Sequence, residues 1–290
     1  GVQTCALPIS CSRQNFQQAV ELALEAHITL ANSGEKPVEK NQIEQNYSLD
    51  GLNIKGDLKA MINQLKKFDR FLRESGYNKI MNMNLLFYGL PGTGKSELAG
   101  YIAEQLEREI ILKRFSDLQS KRVGEGEKNI KKAFEEAESE EAVLIIDEAD
   151  SLLFSRNRAE HSWEISFTNE FLTQMERYRG ILICTTNRLK GLDNASIRRF
   201  NFKIGFNYLK PEGNVICYQK LLEPLAAGSL DKAAEEELKK ITDLAPGDFR
   251  IVRDKNFFLI SASRALIPSF SDVQEEAEVK NFHNGRKHIG

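Results

Sequence analysis

The sequence predicts an α/β protein: a parallel sheet covered by helices, followed by a smaller helical domain. Two observations carry this. Short apolar runs at Leu85–Tyr88, Ile110–Leu112, Val143–Ile146, Ile181–Cys184 and Phe202–Phe206 alternate with longer helical patterns at Ser96–Glu107, Lys128–Glu138 and Ser162–Arg177. Buried strands alternating with helices describe a parallel sheet with both faces covered. After Pro211 the strand signal stops, and Gly213–Leu225, Asp231–Leu244 and Phe249–Arg264 read as helices.

In chain order, residues 1–9 read GVQTCALPI, which resembles a translated sequencing adapter. On that reading Cys5 is not native and the natural chain extends upstream. Residues 13–32 have helical spacing, with Phe16, Val20, Ala23 and Leu24 on one side, and Ser33-Gly34-Glu35-Lys36-Pro37 ends the pattern. A polar linker leads to Asn46. Tyr47–Ser75 carries a second helical pattern through Leu58, Ile62, Leu65 and Phe68. The break Ala245-Pro246-Gly247-Asp248 offers Asp248 as a helix cap. The expected organisation is an N-terminal helix and linker at 10–46, an α/β core at 47–208, a helical lid at 209–268 and an irregular tail at 269–290.

Composition excludes several classes. The 290 residues are 41% hydrophobic and 28% charged, ordinary values for a globular protein. A net charge of −2 does not point to nucleic acid. No apolar run approaches the ~20 residues that span a bilayer. The 4 cysteines form neither a disulfide framework nor a CxxC metal pair, which suits a reducing, cytoplasmic setting.

The most specific motif is Gly89-Leu90-Pro91-Gly92-Thr93-Gly94-Lys95-Ser96, of the form GxxxxGK[ST]. Phosphate oxygens need a tight ring of backbone N–H groups and the positive end of a helix. The strand before it and the helix after it are the required context. Lys95 can reach β- and γ-phosphates, and Ser96 can place its hydroxyl on Mg²⁺. Gly89, Pro91, Gly92, Thr93, Gly94, Lys95, Ser96, Glu97 and Asp147 are thus the expected nucleotide-binding residues.

Val143-Leu144-Ile145-Ile146-Asp147-Glu148 is a buried strand ending in two acids. Asp147 is placed to hold Mg²⁺ through water, and Glu148 to orient the attacking water. Ile181–Thr186 is another such strand, and Asn187 after it can hydrogen-bond that water or the γ-phosphate. Arg198 and Arg199 can stabilise charge on a transferring phosphoryl group.

These four motifs, in this order and spacing, resemble the AAA ATPases from about residue 47 to about 265. The resemblance implies Mg²⁺-dependent ATP hydrolysis in a ring, usually a hexamer, with ATP between subunits. It makes Lys95, Glu148, Asn187, Arg198 and Arg199 catalytic, with Arg199 favoured as the finger reaching a neighbour's nucleotide. Ser120–Ile130 is similar to the family's pore-loop segment, placing Arg122 and Val123 against a protein client. Arg122 stands where many members have an aromatic residue. Leu244-Ala245-Pro246-Gly247-Asp248-Phe249 resembles the lid motif of an uncharacterised bacterial branch. The lid has no clear sensor-2 arginine, and Arg250 and Arg253 read as solvated helix charges. Arg156 and Arg158 read as a solvated loop, and Trp163 as core.

The leading expectation is therefore an ATPase that remodels a protein client. A nucleic-acid motor or loader is one alternative, since Asp147-Glu148-Ala149-Asp150 spells DEAD. A weakly hydrolysing nucleotide-dependent scaffold is another, opposed by the intact Glu148.

Overall fold

The computed structural model describes residues 49–75, 82–120, 122, 124–153, 162–188, 191–225, 230–262 and 270–283. The expectations for residues 1–46, Arg156 and Arg158 lie outside them.

The strands are β1 (Asn53–Lys55), β2 (Met83–Gly89), β3 (Ile110–Arg114), β4 (Val143–Asp147), β5 (Ile181–Thr186) and β6 (Phe202–Asn207). They form one six-stranded sheet in the order β1-β6-β2-β5-β4-β3. The five strands read from the sequence all pair in parallel. β1 was not foreseen; three residues are too few to show a period. It caps one edge, antiparallel to β6, with Asn53 opposite Asn207.

Helix α1 (Leu58–Ser75) begins later than the pattern from Tyr47 suggested, because β1 intervenes. Helix α2 (Lys95–Gln105) follows β2, and the short α3 (Phe115–Leu118) follows β3. Helix α4 (Glu125–Ser139) precedes β4; α5 (Asp150–Leu153) and α6 (Ser162–Arg177) lie between β4 and β5; and α7 (Asn194–Ile197) precedes β6.

Strand side chains alternate between two cores. Leu144, Ile146, Leu182 and Cys184 face Phe134, Phe171 and Met175 of α4 and α6. Leu85, Phe87, Val143, Ile145 and Ile183 face Leu65, Phe68, Leu98 and Ile102 of α1 and α2. Covering both faces explains why the central strands read as unbroken apolar runs. At the N-terminal ends of the strands, the buried Arg108 guanidinium donates to Asp69 of α1 and to the Glu141 carbonyl.

Beyond β6 come α8 (Pro211–Leu221), α9 (Lys232–Lys240), α10 (Pro246–Ala262) and α11 (Phe270–His283). Their separate core contains Val215, Tyr218, Leu238, Phe249, Val252 and Val273. The tail expected to be irregular from Ser269 is instead largely α11. It docks through Val273 and Ala277, and Lys280 pairs with Asp248 at 2.6 Å and lies over the Tyr208 ring at 4.4 Å. Its few apolar residues among charges hid the pattern. Asp248 is not the cap itself. It is the third residue of α10, and its carboxylate accepts the Ala245 N–H at 2.7 Å. No helix among the described residues is long and apolar enough to cross a membrane.

Candidate functional site

The C-terminal ends of β2, β4 and β5 converge, the place where open α/β sheets bind ligands. β2 ends at Gly89, whose φ of 147° few side chains tolerate. A Cβ there would lie 2.2 Å from the Phe206 carbonyl oxygen of β6, so only glycine lets the chain turn off the sheet at this point. The loop Leu90–Gly94 follows, closed by the Thr93 hydroxyl donating to the Leu90 carbonyl at 2.7 Å. Helix α2 starts at Lys95, so its first N–H groups, which have no intrahelical acceptor, face the loop.

Lys95 is buried, and its ammonium donates to the carbonyls of Gly89 at 2.9 Å and Leu90 at 2.7 Å. Burial pushes its pKa down; the nearby carboxylates of Asp147, Glu97 and Asp150 act in the opposite direction. Ser96 Oγ donates to Asp147 Oδ1 at 3.2 Å, joining the loop to the end of β4. Glu148 is exposed and takes a left-handed φ of 54°. That conformation is costly for a residue with a side chain and turns it away from the line of the strand. Asp150 accepts a hydrogen bond from the Thr186 hydroxyl. Asn187, exposed, follows β5 directly.

Arg198 and Arg199 lie between α7 and β6. Arg198 is exposed. Arg199 is partly buried; its Nε donates to Glu176 at 2.7 Å and its Nη1 to the Ala195 carbonyl at 2.7 Å. The buried Asn84 at the start of β2 anchors this segment. Its side-chain amide donates to the Arg199 carbonyl at 3.1 Å, and its N–H to the Asn201 side chain at 2.7 Å.

The structure brings the lid to the loop in a way the sequence did not announce. The turn before α10 reaches the loop, where the Gly247 N–H donates to the Gly92 carbonyl at 2.9 Å. Arg250, expected to be a solvated charge, instead forms an ion pair with Glu97 of α2. Arg253 pairs with its neighbour Asp254. Arg122 is 85% exposed, and its guanidinium lies 3.9 Å from Glu125. Val123 and the side chain of Trp163 lie outside the described residues. No cluster of three metal-ligating side chains occurs among the described residues. The one hydroxyl and one carboxylate joined at Ser96 and Asp147 are hard oxygen donors. They suit Mg²⁺, which keeps most of its water shell and binds with phosphates.

Residues 85–208 match the model of the ATPase family associated with various cellular activities (AAA). Spastin of Drosophila simulans is 31% identical over 218 residues, covering 71% of this chain and 28% of that protein. Fidgetin-like protein 1 of Caenorhabditis elegans is 34% identical over 170 residues, covering 56% and 28%. The chain thus spans under a third of these relatives. The crystal structure of the FIGL-1 AAA domain in complex with ADP superposes with a TM-score of 0.57 at 23% identity, covering 87% of this chain and 92% of that one, and shares its fold. These relatives are animal proteins, so the expected likeness to a bacterial branch and the adapter reading of residues 1–9 find no support here. Residues 85–208 are a domain of the AAA ATPase family.

Proposed function

We propose that this chain binds ATP with Mg²⁺, hydrolyses it, and uses the cycle to remodel a protein client. The observation that carries the proposal is the joining of the phosphate loop to the acidic strand end through Ser96 and Asp147, beside the buried ammonium of Lys95. Bound Mg²⁺ would neutralise charge on the β- and γ-phosphates. Ser96 and Asp147 would hold it, Asp147 through water. Lys95 would exchange its two carbonyl partners for phosphate oxygens. Gly89, Pro91, Gly92, Thr93, Gly94 and Glu97 complete the loop and the first turn of α2.

Glu148, turned out of the strand, would orient the attacking water, and Asn187 would hold that water or the γ-phosphate. Arg199, assisted by Arg198, would serve a neighbouring subunit's nucleotide. That role requires Arg199 to give up Glu176 of its own chain. A hexameric ring would fit such a role, with Arg122 and Val123 facing the client. The exposed guanidinium of Arg122 would favour acidic client segments. We further assign 47–208 as the ATPase core, 209–268 as its lid with α11 packed into the lid's core, and the cytoplasm as its place of work.

The test is phosphate release by purified protein with Mg²⁺ and ATP. The wild type should turn over, and E148Q should bind ATP yet release little phosphate. Equal turnover by both would remove Glu148 from the reaction.

A further inference from the structure

Thr185 lies in the strand before Asn187 with no role assigned to it by the sequence, yet its hydroxyl reaches the centre of the site. Thr185 is 2% exposed. The pairing of β4 with β5 runs through Ile145↔Ile183 and Ile146↔Cys184, so its continuation sets Asp147 opposite Thr185. On the other side, β2 sets Phe87 opposite Thr185. A phenyl ring offers no conventional acceptor, and a buried hydroxyl must find one. It donates to Asp147 Oδ1, the same oxygen that receives the Ser96 hydroxyl.

The hydroxyl also accepts. The Glu148 N–H donates to Thr185 Oγ1 at 3.3 Å, and the Ala149 N–H to the Thr185 carbonyl at 2.9 Å. The left-handed turn at Glu148 is therefore held from β5. Thr186 points to the other face and binds Asp150, so the two threonines have separate duties.

We infer that Thr185 is a positioning residue: one hydroxyl fixes both the carboxylate of Asp147 and the backbone that aims Glu148. The inference rests on the ATP reaction proposed above. Partners that orient a metal-facing carboxylate typically change metal affinity or activity by about 10–100-fold when removed. Valine at this position keeps the branched shape that suits a strand but removes the hydroxyl.

The test is equilibrium binding of a fluorescent ATP analogue to wild type, T185V and T185S, with Mg²⁺ and with chelator. T185A removes the same hydroxyl without bulk and replaces T185V if valine disturbs the strand. All chains should bind alike in chelator. The gain in affinity on adding Mg²⁺ should fall about 10-fold in T185V and be retained in T185S. A full Mg²⁺ gain in T185V, or an equal loss of its affinity in chelator, would overturn the inference alone. A wild type that gains nothing from Mg²⁺ would also overturn it. A wild type that binds no nucleotide in either condition would overturn the ATP reading and the inference together.

Discussion

The Gly247 N–H donates to the Gly92 carbonyl at 2.9 Å, so the lid touches the phosphate loop backbone to backbone. No side chain intervenes, and there is little room for one. A Cβ on Gly247 would lie 3.0 Å from Gly92 Cα and 3.1 Å from its carbonyl oxygen. G247A should therefore push the turn off the loop, at a cost of about 1–2 kcal/mol. It should also weaken ATP binding. Denaturant melts and a nucleotide titration measure both, and wild-type values would show that the turn yields freely.

Asp69 and Arg108 form an ion pair whose side chains are 9% and 5% exposed. Removing one partner of a buried pair costs about 3–5 kcal/mol. D69A should lose about 3 kcal/mol in urea unfolding, since Arg108 keeps the Glu141 carbonyl. Arg73 also pairs with Asp69, but its side chain is 46% exposed. R73A should lose under about 1 kcal/mol. Comparable losses for the two would mean that burial does not set the strength of this network.

Burial holds the Lys95 ammonium below its ordinary pKa of 10.5 in the folded chain. The folded protein thus releases this proton at a lower pH than the unfolded chain does. Between those two values the unfolded state binds more protons, so stability rises with pH. Below them the cost of burying the charge is present in full. The stability of wild type relative to K95M should accordingly climb as pH approaches 10.5. Chemical denaturation at several pH values measures the difference, and a flat or falling one would contradict the burial argument.

Arg199 is held within its own chain by Glu176 and the Ala195 carbonyl. If it serves a neighbour's nucleotide, R199A should bind ATP normally and lose about 10³-fold in turnover. Mixing R199A with E148Q subunits should restore part of the activity, because each kind supplies what the other lacks. Phosphate release from the mixture decides this; no recovery would place Arg199 outside a shared site.

The five parallel strands and the loop chemistry were legible because each depends on contiguous residues. A buried strand is a short apolar run, and GxxxxGK[ST] is one turn of backbone. β1 escaped because three residues paired only at an edge carry no period. Helix α11 escaped because most of its described side chains are solvated, with Val273 and Ala277 buried among them. The lid contacts were illegible for a different reason. Glu97 and Arg250 lie 153 positions apart, and only the docking of α10 pairs them. Thr185 looked like any strand threonine until register placed it opposite Asp147.

Lys280 binds the same Asp248 carboxylate that accepts the Ala245 N–H, and that carboxylate sits one residue after Gly247. A chain cut just before Lys280 would retain every side chain around the phosphate loop. It would nonetheless lose an anchor of the turn that meets Gly92. The far end of α11 and the loop would then report on each other, and shortening the protein at its surface would register where nucleotide binds.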